Sequence, residues 1–405
     1  MSVFHKEKEI ILIETRKSLN RYCEKIRQES EIAIDTEFDR NRYRYGLNLC
    51  VVQIATLNRC YIIDPIKICP TDTEFQEYLS PLWDIVNSSE VLKIIYDCSE
   101  DLKVFTKYQC NPVHFFDLKV AEKVLALSSV SFISLIKNLA GIDLNKNLQV
   151  TNWYRRPFSE AMVQYLANDV NYLIEAKQIL QTQLNETGRQ SWFDEEMKLI
   201  ITKQAIDTED GTNKFFNSAR FKRLSEKEKF IATELWNTRT EFAKKYNIPV
   251  HFVFSEDKLY EISSALPHYS KLRDWYYEKG VHRSLKVQDN HEFVQKLKAI
   301  LSQSAQITEV RETNKTYSNQ QKEDFKNSTD ALKIEREAFK TFMQPVQLYL
   351  EQKYDKRTQE IILSNRYVQD LFKAKKLEVL KSYAVNEILK AARELEIDLS
   401  KYLKI

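Results

Sequence analysis

Three short apolar runs follow one another between residues 31 and 65, and they constrain the fold more than any other feature of the chain. The runs are EIAIDTEF, LNLCVVQIAT and RCYIIDP, and each has the character of a strand. Because the connections between neighbouring runs are short, antiparallel pairing is favoured. The sequence therefore predicts an antiparallel meander.

The periodicity of the apolar residues changes after this meander. Helix-period stretches, the first of which is TEFQEYLSPLWDIVNS, alternate with the strand-like runs VLKIIYD and VHFFDL. Strands that alternate with helices after a meander imply a mixed sheet with helices packed on its faces. We therefore expect one α/β domain over residues 1–205.

The strand signal nearly disappears from residue 214 onward. Helix-period patterns such as EKEKFIATELWNTRTEFAKKY replace it, which predicts a helical domain over residues 206–301. Residues 302–330 are polar and nearly free of large aliphatic side chains, as expected of a solvated linker. A last helical unit is predicted over residues 331–405.

The bulk composition is that of an ordinary globular protein, with 43% hydrophobic and 29% charged residues among 405. A net charge of +3 permits a polyanionic partner without demanding one. The six cysteines all lie in the first third and lack metal-like spacing, which predicts reduced thiols in the core. Since no apolar stretch reaches the length of a membrane span or a signal peptide, we expect a cytoplasmic protein that makes no membrane contact.

Two acidic residues, Asp35 and Glu37, end the first strand of the meander. Positions i and i+2 of a strand share a face, so both carboxylates point the same way. Two such charges about 6 Å apart repel by roughly 3 kcal/mol at an effective dielectric constant of about 20, unless a cation or a proton intervenes. Taken alone, the pair is more typical of a solvated strand end than of a metal site.

Two further acids stand at positions where chemistry and ordinary structure both remain open. Asp101 falls on the first turn of a predicted helix, where an acid also favours the helix dipole. Tyr165 and Asp169 lie at i and i+4 of the helix in RPFSEAMVQYLANDVNYLIEA, one above the other beside its apolar stripe. Taken alone, that pair is more typical of a structural hydrogen bond.

The order of these acidic segments within one α/β domain resembles the DEDD exonuclease superfamily, in its tyrosine-bearing subclass. The stretch SFISLIKNLAGIDLNKNLQVTNWYRRPFSEAMVQYLANDVNYLIEA is similar to the third motif region of ribonuclease D, and LNLCVVQIAT is similar to its second strand. The chain departs from the family at Tyr96, where a His is usual, and at Asp97, where a small residue is usual.

The resemblance implies an RNase H-like mixed sheet with helices on both faces. It implies that Asp35, Glu37, Asp101 and Asp169 bind two divalent ions, Mg²⁺ or Mn²⁺, which are hard cations that prefer oxygen ligands. It also implies that Tyr165 orients the water that attacks the phosphodiester. With Tyr165, these four acids are the expected catalytic residues.

The substrate-binding residues expected from the same likeness are Phe38, Gln53, Arg155 and Arg156. Phe38 could stack on a terminal base, but a core phenylalanine at the end of a strand is an equally good interpretation. The two arginines could contact phosphate or pair with local acids, and the sequence favours neither.

The helical part of the chain resembles the modules that follow the nuclease domain in ribonuclease D. Residues 206–301 are similar to an HRDC domain, and residues 331–405 are similar to a second, more degenerate one. Aromatic and basic residues alternate in NKFFNSARFKRLSEKEK and KLRDWYYEKGVHRSLK, which suits a nucleic-acid adaptor. All-α HRDC-type domains are therefore expected after the α/β domain.

The function that the resemblance implies is a 3′→5′ exoribonuclease that releases 5′-mononucleotides from RNA. Its expected partners are structured small RNAs, above all tRNA precursors with 3′ trailers, and it is expected to be a monomer. Because the nuclease pattern begins almost at the first residue, the bacterial type is expected rather than the eukaryotic exosome type. A 3′→5′ DNA exonuclease and a catalytically silent RNA-binding scaffold remain the alternatives.

Overall fold

The computed structural model describes residues 8–128, 131–144, 151–204, 212–265, 291–307 and 319–404. Its first half contains a six-stranded mixed sheet. The strands are β1 (Glu9–Ile13), β2 (Glu31–Arg40), β3 (Leu47–Ala55), β4 (Arg59–Ile63), β5 (Leu92–Ile95) and β6 (Phe115–Asp117).

The predicted meander forms the centre of this sheet. Strand β3 pairs antiparallel with both β2 and β4, while β1, β5 and β6 join through parallel pairs. The strand order is β1-β4-β3-β2-β5-β6. The catalytic strand of the prediction, β2, therefore lies inside the sheet and has a neighbour on each side.

Ten helices accompany the sheet in the part of this half that the structure describes. They are α1 (Arg16–Ile26), α2 (Pro65–Ile68), α3 (Phe75–Tyr78), α4 (Ser80–Asn87), α5 (Ser99–Lys107), α6 (Leu118–Val124), α7 (Phe132–Ala140), α8 (Glu160–Asn171), α9 (Leu173–Glu186) and α10 (Gln190–Gln204). The mixed sheet with its flanking helices confirms the predicted fold class.

Two details of this half differ from the sequence prediction. Strand β1 and helix α1 were not predicted, because charges interrupt the only apolar run at the start of the chain. The single helix predicted from TEFQEYLSPLWDIVNS is broken at Leu79. Pro81 lies in the first turn of α4, where its missing N–H costs nothing, whereas a continuous helix would have lost a hydrogen bond there.

The second half is helical, as predicted. Its described helices are α11 (Thr212–Phe216), α12 (Ala219–Lys222), α13 (Glu226–Tyr246), α14 (Val250–Val253), α15 (Glu256–Ala265), α16 (His291–Ser304), α17 (Asn319–Lys353), α18 (Lys356–Leu363), α19 (Asn365–Ala374) and α20 (Ser382–Glu394). None of the helices that the structure describes combines the length and hydropathy needed to cross a bilayer.

Part of the predicted polar linker, residues 302–330, is helical. Residues 319–330 begin the 35-residue helix α17 and are exposed over 323–330, while residues 308–318 lie outside the described part of the chain. A solvated helix and a solvated linker share a polar composition, so composition alone did not separate them. The basic and aromatic stretch 271–286 also lies outside the described residues.

The chain buries its apolar side chains in two clusters. One cluster belongs to α11–α16 and includes Phe215, Leu235, Phe242 and Phe293. The other fills the sheet domain and continues into the C-terminal helices α17–α20. All six cysteines lie buried in this second cluster as free thiols, in agreement with the prediction.

Candidate active site

Strand β2 presents Asp35 and Glu37 on one face. Asp35 stands opposite Gln53 of β3, and Glu37 stands opposite Val51. The register then shifts between Glu37 and Phe38, so the strand pair is irregular directly after the acid pair. The extra residue is Cys50 in β3, and pairing resumes from Phe38 to Arg40, so a local bend falls directly beside the two carboxylates.

Asp101 is held against the same strand by Thr36. The backbone N–H and the hydroxyl of Thr36 donate hydrogen bonds to Oδ1 of Asp101, at 3.1 and 2.5 Å. Asp101 lies in the first turn of α5, directly after the neighbouring strand β5, and is 5% exposed. The acid from the second segment is therefore fixed beside the acid pair, as the sequence predicts.

Helix α8 brings the third segment to the site. Its buried stripe, which includes Leu166 and Val170, packs against strands β2, β3 and β4. Tyr165 and Asp169 lie half-buried beside this stripe. The Oδ2 atom of Asp169 is buried, and among the described residues it has no hydrogen-bond partner.

The charges of the four acids act on one another. Burial raises the pKa of Asp35 well above its usual range, and the charges of Asp101, Asp169 and Glu37 raise it further. Burial and the charges of Asp169 and Asp101 do the same to the pKa of Glu37. Burial raises the pKa of Asp101 to about 7 and that of Asp169 to about 8. The four carboxyl groups therefore hold their protons more strongly than ordinary carboxylates do, unless a cation takes the place of those protons.

The phenol of Tyr165 completes the predicted set. Burial raises its pKa above the usual value, and the charges of Asp169, Glu37 and Asp35 act in the same direction. The ring of Trp153 lies 5.8 Å from the ring of Tyr165 and orients it by packing. The same indole lowers the pKa of Glu37 against the larger effect of burial, although its N–H meets no hydrogen-bond acceptor among the described residues. Trp153 thus joins the catalytic strand to α8.

The cluster suits hard divalent cations. Its four acids supply carboxylate oxygens, the ligands that such cations prefer. One of these oxygens, Oδ2 of Asp169, is buried and accepts no hydrogen bond from the described residues. The acids also raise one another's pKa values. In the described part of the chain, no three His, Cys, Asp or Glu side chains stand at the mutual distances of a preformed metal site. The donor chemistry therefore fits a metal centre, while the number and positions of ions stay a prediction.

Two of the predicted substrate contacts are corrected by their surroundings. Gln53 is 0% exposed, so its side chain reaches no surface on which a substrate could lie. Arg156 is 13% exposed and forms a two-pronged ion pair with the buried carboxylate of Asp64; its Nη2 lies 2.9 Å from Oδ1. It also donates to the carbonyl of Cys50 at 3.0 Å. Arg156 therefore pairs with a local acid and braces β3.

The other two predicted substrate contacts are Phe38 and Arg155, and their surroundings differ. Phe38 is half-buried and packs against the core, which matches the core interpretation of this residue. Arg155 is exposed, and among the described residues it forms no ion pair. A contact between Arg155 and phosphate stays a prediction.

Comparison with known proteins identifies the domain that carries this cluster. Residues 10–185 match the family model described as a 3′-5′ exonuclease. These residues form a 3′-5′ exonuclease domain. All five predicted catalytic residues fall inside the matched exonuclease domain, and the family is metal-dependent.

The chain is also similar to curated ribonucleases D. It is 29% identical to the ribonuclease D of Jannaschia sp. over 259 residues, which are 63% of this chain and 65% of that protein. It is 34% identical to the ribonuclease D of Sphingobium indicum over 192 residues, which are 47% of each chain. The matches thus span about two thirds of these relatives or less.

Solved structures share the fold over more of the chain. Escherichia coli RNase D, described as an exoribonuclease involved in structured RNA processing, has a TM-score of 0.66 at 20% identity. That comparison covers 98% of this chain and 100% of the other. The catalytic core of RRP6 from Trypanosoma brucei has a TM-score of 0.62 at 18% identity and covers 75% of this chain and 83% of that one. The exonuclease domain and its helical continuation therefore share one architecture with these proteins.

Proposed function

We propose that this chain is a metal-dependent 3′→5′ exoribonuclease of the ribonuclease D type, which releases 5′-mononucleotides from RNA. The observation that carries the proposal is the meeting of Asp35, Glu37, Asp101, Tyr165 and Asp169 on one face of the matched exonuclease domain. Three distant stretches of chain contribute to this cluster. A purely structural role explains neither why these acids are grouped nor why they are buried.

The four carboxylates would hold two divalent ions, Mg²⁺ or Mn²⁺. Such ions, when bound, activate a water for attack on the phosphodiester and stabilise the leaving 3′ oxygen. The protein contributes rigid placement, because Asp35 and Glu37 lie on an internal strand and Asp101 is fixed by Thr36. Placement of this kind lowers the entropic cost of reaching the transition state.

Tyr165 would orient the attacking water through its hydroxyl. Because burial and the neighbouring acids raise the pKa of this phenol, it stays protonated at neutral pH. A protonated phenol donates a hydrogen bond and is a poor general base. We therefore assign Tyr165 a positioning role toward water, supported by the ring of Trp153.

The proposed substrates are structured small RNAs, in particular tRNA precursors with 3′ trailers, and the proposed site of action is the cytoplasm. The proposed helical modules, residues 206–301 and 331–405, would grip the body of the RNA. The similarity to curated ribonucleases D supports this substrate class. The chain is proposed to act as a monomer.

The proposal is tested with an oligoribonucleotide labelled at its 5′ end, incubated with the full chain and Mg²⁺ or Mn²⁺. We expect a ladder of products that shorten from the 3′ end, and we expect Asp35→Asn to abolish it. Asp84→Asn is the matched control, because Asp84 is exposed on α4 and its one ion pair within the described segments is with Arg27. Its ladder should equal that of the wild type.

The same assay separates the alternatives. Faster degradation of a DNA strand of identical sequence would favour the DNA exonuclease. RNA binding without any ladder would favour the silent scaffold. An Asp35→Asn protein that degrades RNA at the wild-type rate would overturn the proposed site.

A further inference from the structure

The loop between β2 and β3, residues 41–46, is held in a fixed shape by Asp39. The carboxylate of Asp39 accepts hydrogen bonds from the backbone N–H groups of Arg42, Tyr43 and Arg44, at 2.9 to 3.2 Å. Gly46 closes the loop at a positive φ of 79° and donates to Oδ1 of Asn41 at 2.8 Å. Since the backbone bonds point inward, the side chains of Arg42 and Tyr43 are presented to solvent.

A second segment of the exonuclease domain meets this loop. The ring of Tyr154 lies edge-on to the ring of Tyr43, with centroids 6.4 Å apart. The guanidinium of Arg44 lies 4.1 Å from the centre of the Tyr154 ring. Arg155, the next residue, is exposed. We call the surface made by Arg42, Tyr43, Arg44, Tyr154 and Arg155 the Arg-Tyr surface.

The Arg-Tyr surface adjoins the acid cluster along the chain on both sides. Its loop continues the strand that carries Asp35 and Glu37. Its second segment follows Trp153, which packs on Tyr165. The surface therefore begins where the candidate active site ends.

The charge of this surface is opposite to that of the acid cluster. It contains three arginines and no acid, and among the described residues Arg42 and Arg155 form no ion pair with a carboxylate. Arginines without a carboxylate partner attract a phosphate chain at long range, which suits retention of a polyanionic substrate. Aromatic rings interleaved with arginines also suit unpaired bases, because every base has a face that can stack.

We infer that the Arg-Tyr surface binds the single-stranded 3′ segment of the RNA, immediately upstream of the nucleotide that is removed. Bases stack on the exposed ring of Tyr43, which Tyr154 supports from the side, and phosphates pair with Arg42 and Arg155. This inference rests on the proposed function, since it names the part of the substrate that the same site holds. It excludes a duplex there, because two paired strands hide the faces of their bases.

The test measures the affinity of a fluorescent single-stranded RNA at several salt concentrations. The full chain carries Asp35→Asn so that the RNA stays intact. We expect Arg42→Gln and Arg155→Gln each to weaken binding and to reduce the slope of log affinity against log salt by about 0.7, the value for one phosphate contact on a single strand. Tyr43→Ala should weaken binding about tenfold, while Tyr43→Phe should not.

Arg16→Gln is the matched control. The guanidinium of Arg16 also lies over a tyrosine ring, 4.3 Å from the centre of Tyr78, but on α1 and α3 outside the acid cluster. It should leave both affinity and salt slope unchanged. If Arg16→Gln weakened RNA binding as much as Arg42→Gln does, the inference would be overturned, because affinity would then follow the total charge of the protein alone.

RNA degradation by the chain with Asp35 intact distinguishes the inference from the proposed function. If this chain degrades RNA, and variants of the Arg-Tyr surface bind and degrade RNA as well as it does, the inference is overturned and the proposed function stands. If it binds RNA through the Arg-Tyr surface but never degrades it, the inference stands and the proposed function fails. Tighter binding of duplex than of single-stranded RNA would overturn the inference.

Discussion

The carboxylates of the acid cluster are the residues whose ionisation most affects this molecule. Asp101 and Asp169 have pKa values of about 7 and about 8 in the folded chain, mainly because they are buried. The unfolded chain would release these protons near pH 4. Between these values the folded state binds more protons than the unfolded state. Stability therefore falls as pH rises through this window.

We predict that the metal-free chain loses thermal stability between pH 5.5 and pH 8.5. Asp169→Asn removes one titrating group, so its unfolding temperature should fall less over the same range. Thermal unfolding in the presence of a chelator measures the slope of unfolding temperature against pH for both proteins. Equal slopes in the two proteins would contradict the assignment of a raised pKa to Asp169.

Added Mn²⁺ at pH 8 should restore the thermal stability that the wild type loses as pH rises, because an ion that binds only the folded state stabilises that state. Asp35→Asn should abolish this gain, and Asp84→Asn should retain it. A gain of equal size in Asp35→Asn would place the ion elsewhere.

Some of the candidate site follows from periodicity alone. The common face of Asp35 and Glu37 and the stacking of Tyr165 over Asp169 are local consequences of strand and helix geometry. Their meeting with Asp101 was predicted only through family resemblance. The sequence left open whether Arg156 contacts phosphate or pairs with an acid, and it could not decide because the partner, Asp64, lies 92 residues away. Gln53 was wrongly assigned as a substrate contact, because the burial of a side chain depends on residues that are distant in the sequence.

At the scale of elements, β2 both carries the acid pair and supports the loop of the Arg-Tyr surface. Asp39 connects these two roles, since it belongs to the strand while its carboxylate holds the loop backbone. The sequence prediction missed this residue. The signal that could have found the surface is RNRYRYG, residues 40–46, in which arginine and tyrosine alternate shortly after the acid pair.

We predict that Asp39→Ala lowers the free energy of unfolding by about 1 to 3 kcal/mol, because three buried or half-buried N–H groups lose their acceptor. Asp39→Asn keeps one acceptor oxygen and should lose less. Urea unfolding measures the difference, with the exposed Asp84→Ala as the control that stays within about 0.5 kcal/mol. An Asp39→Ala chain as stable as this control would show that the loop does not depend on Asp39.

At the scale of the whole molecule, the C-terminal helices share a core with the exonuclease domain. The rings of Trp192 in α10 and Tyr383 in α20 stack with centroids 4.8 Å apart. The hydroxyl of Tyr383 donates to Glu196 at 2.7 Å. Helices α11–α16 have a core of their own and meet the loop between β2 and β3 through Tyr45, whose N–H donates to Oδ1 of Asn247 at 3.3 Å. The two helical regions therefore differ in how they are attached.

We predict that Tyr383→Ala lowers hydrogen-exchange protection in both α20 and the central strand β3, but not in α13. The loss of a buried ring in a shared core destabilises everything that unfolds with it. Hydrogen exchange with mass spectrometry on the full chain resolves these segments. An equal loss of protection in α13 would contradict the division into two cores.

The six buried thiols add a consequence for how this molecule can be studied. Burial raises the pKa of Cys23, Cys50, Cys60 and Cys110 to about 12, so almost none of their reactive thiolate exists at neutral pH. A thiol-reactive dye therefore labels them only while the sheet domain is open. Because the chain has no cysteine after residue 110, such labelling times the opening of the nuclease half without any signal from α11–α16.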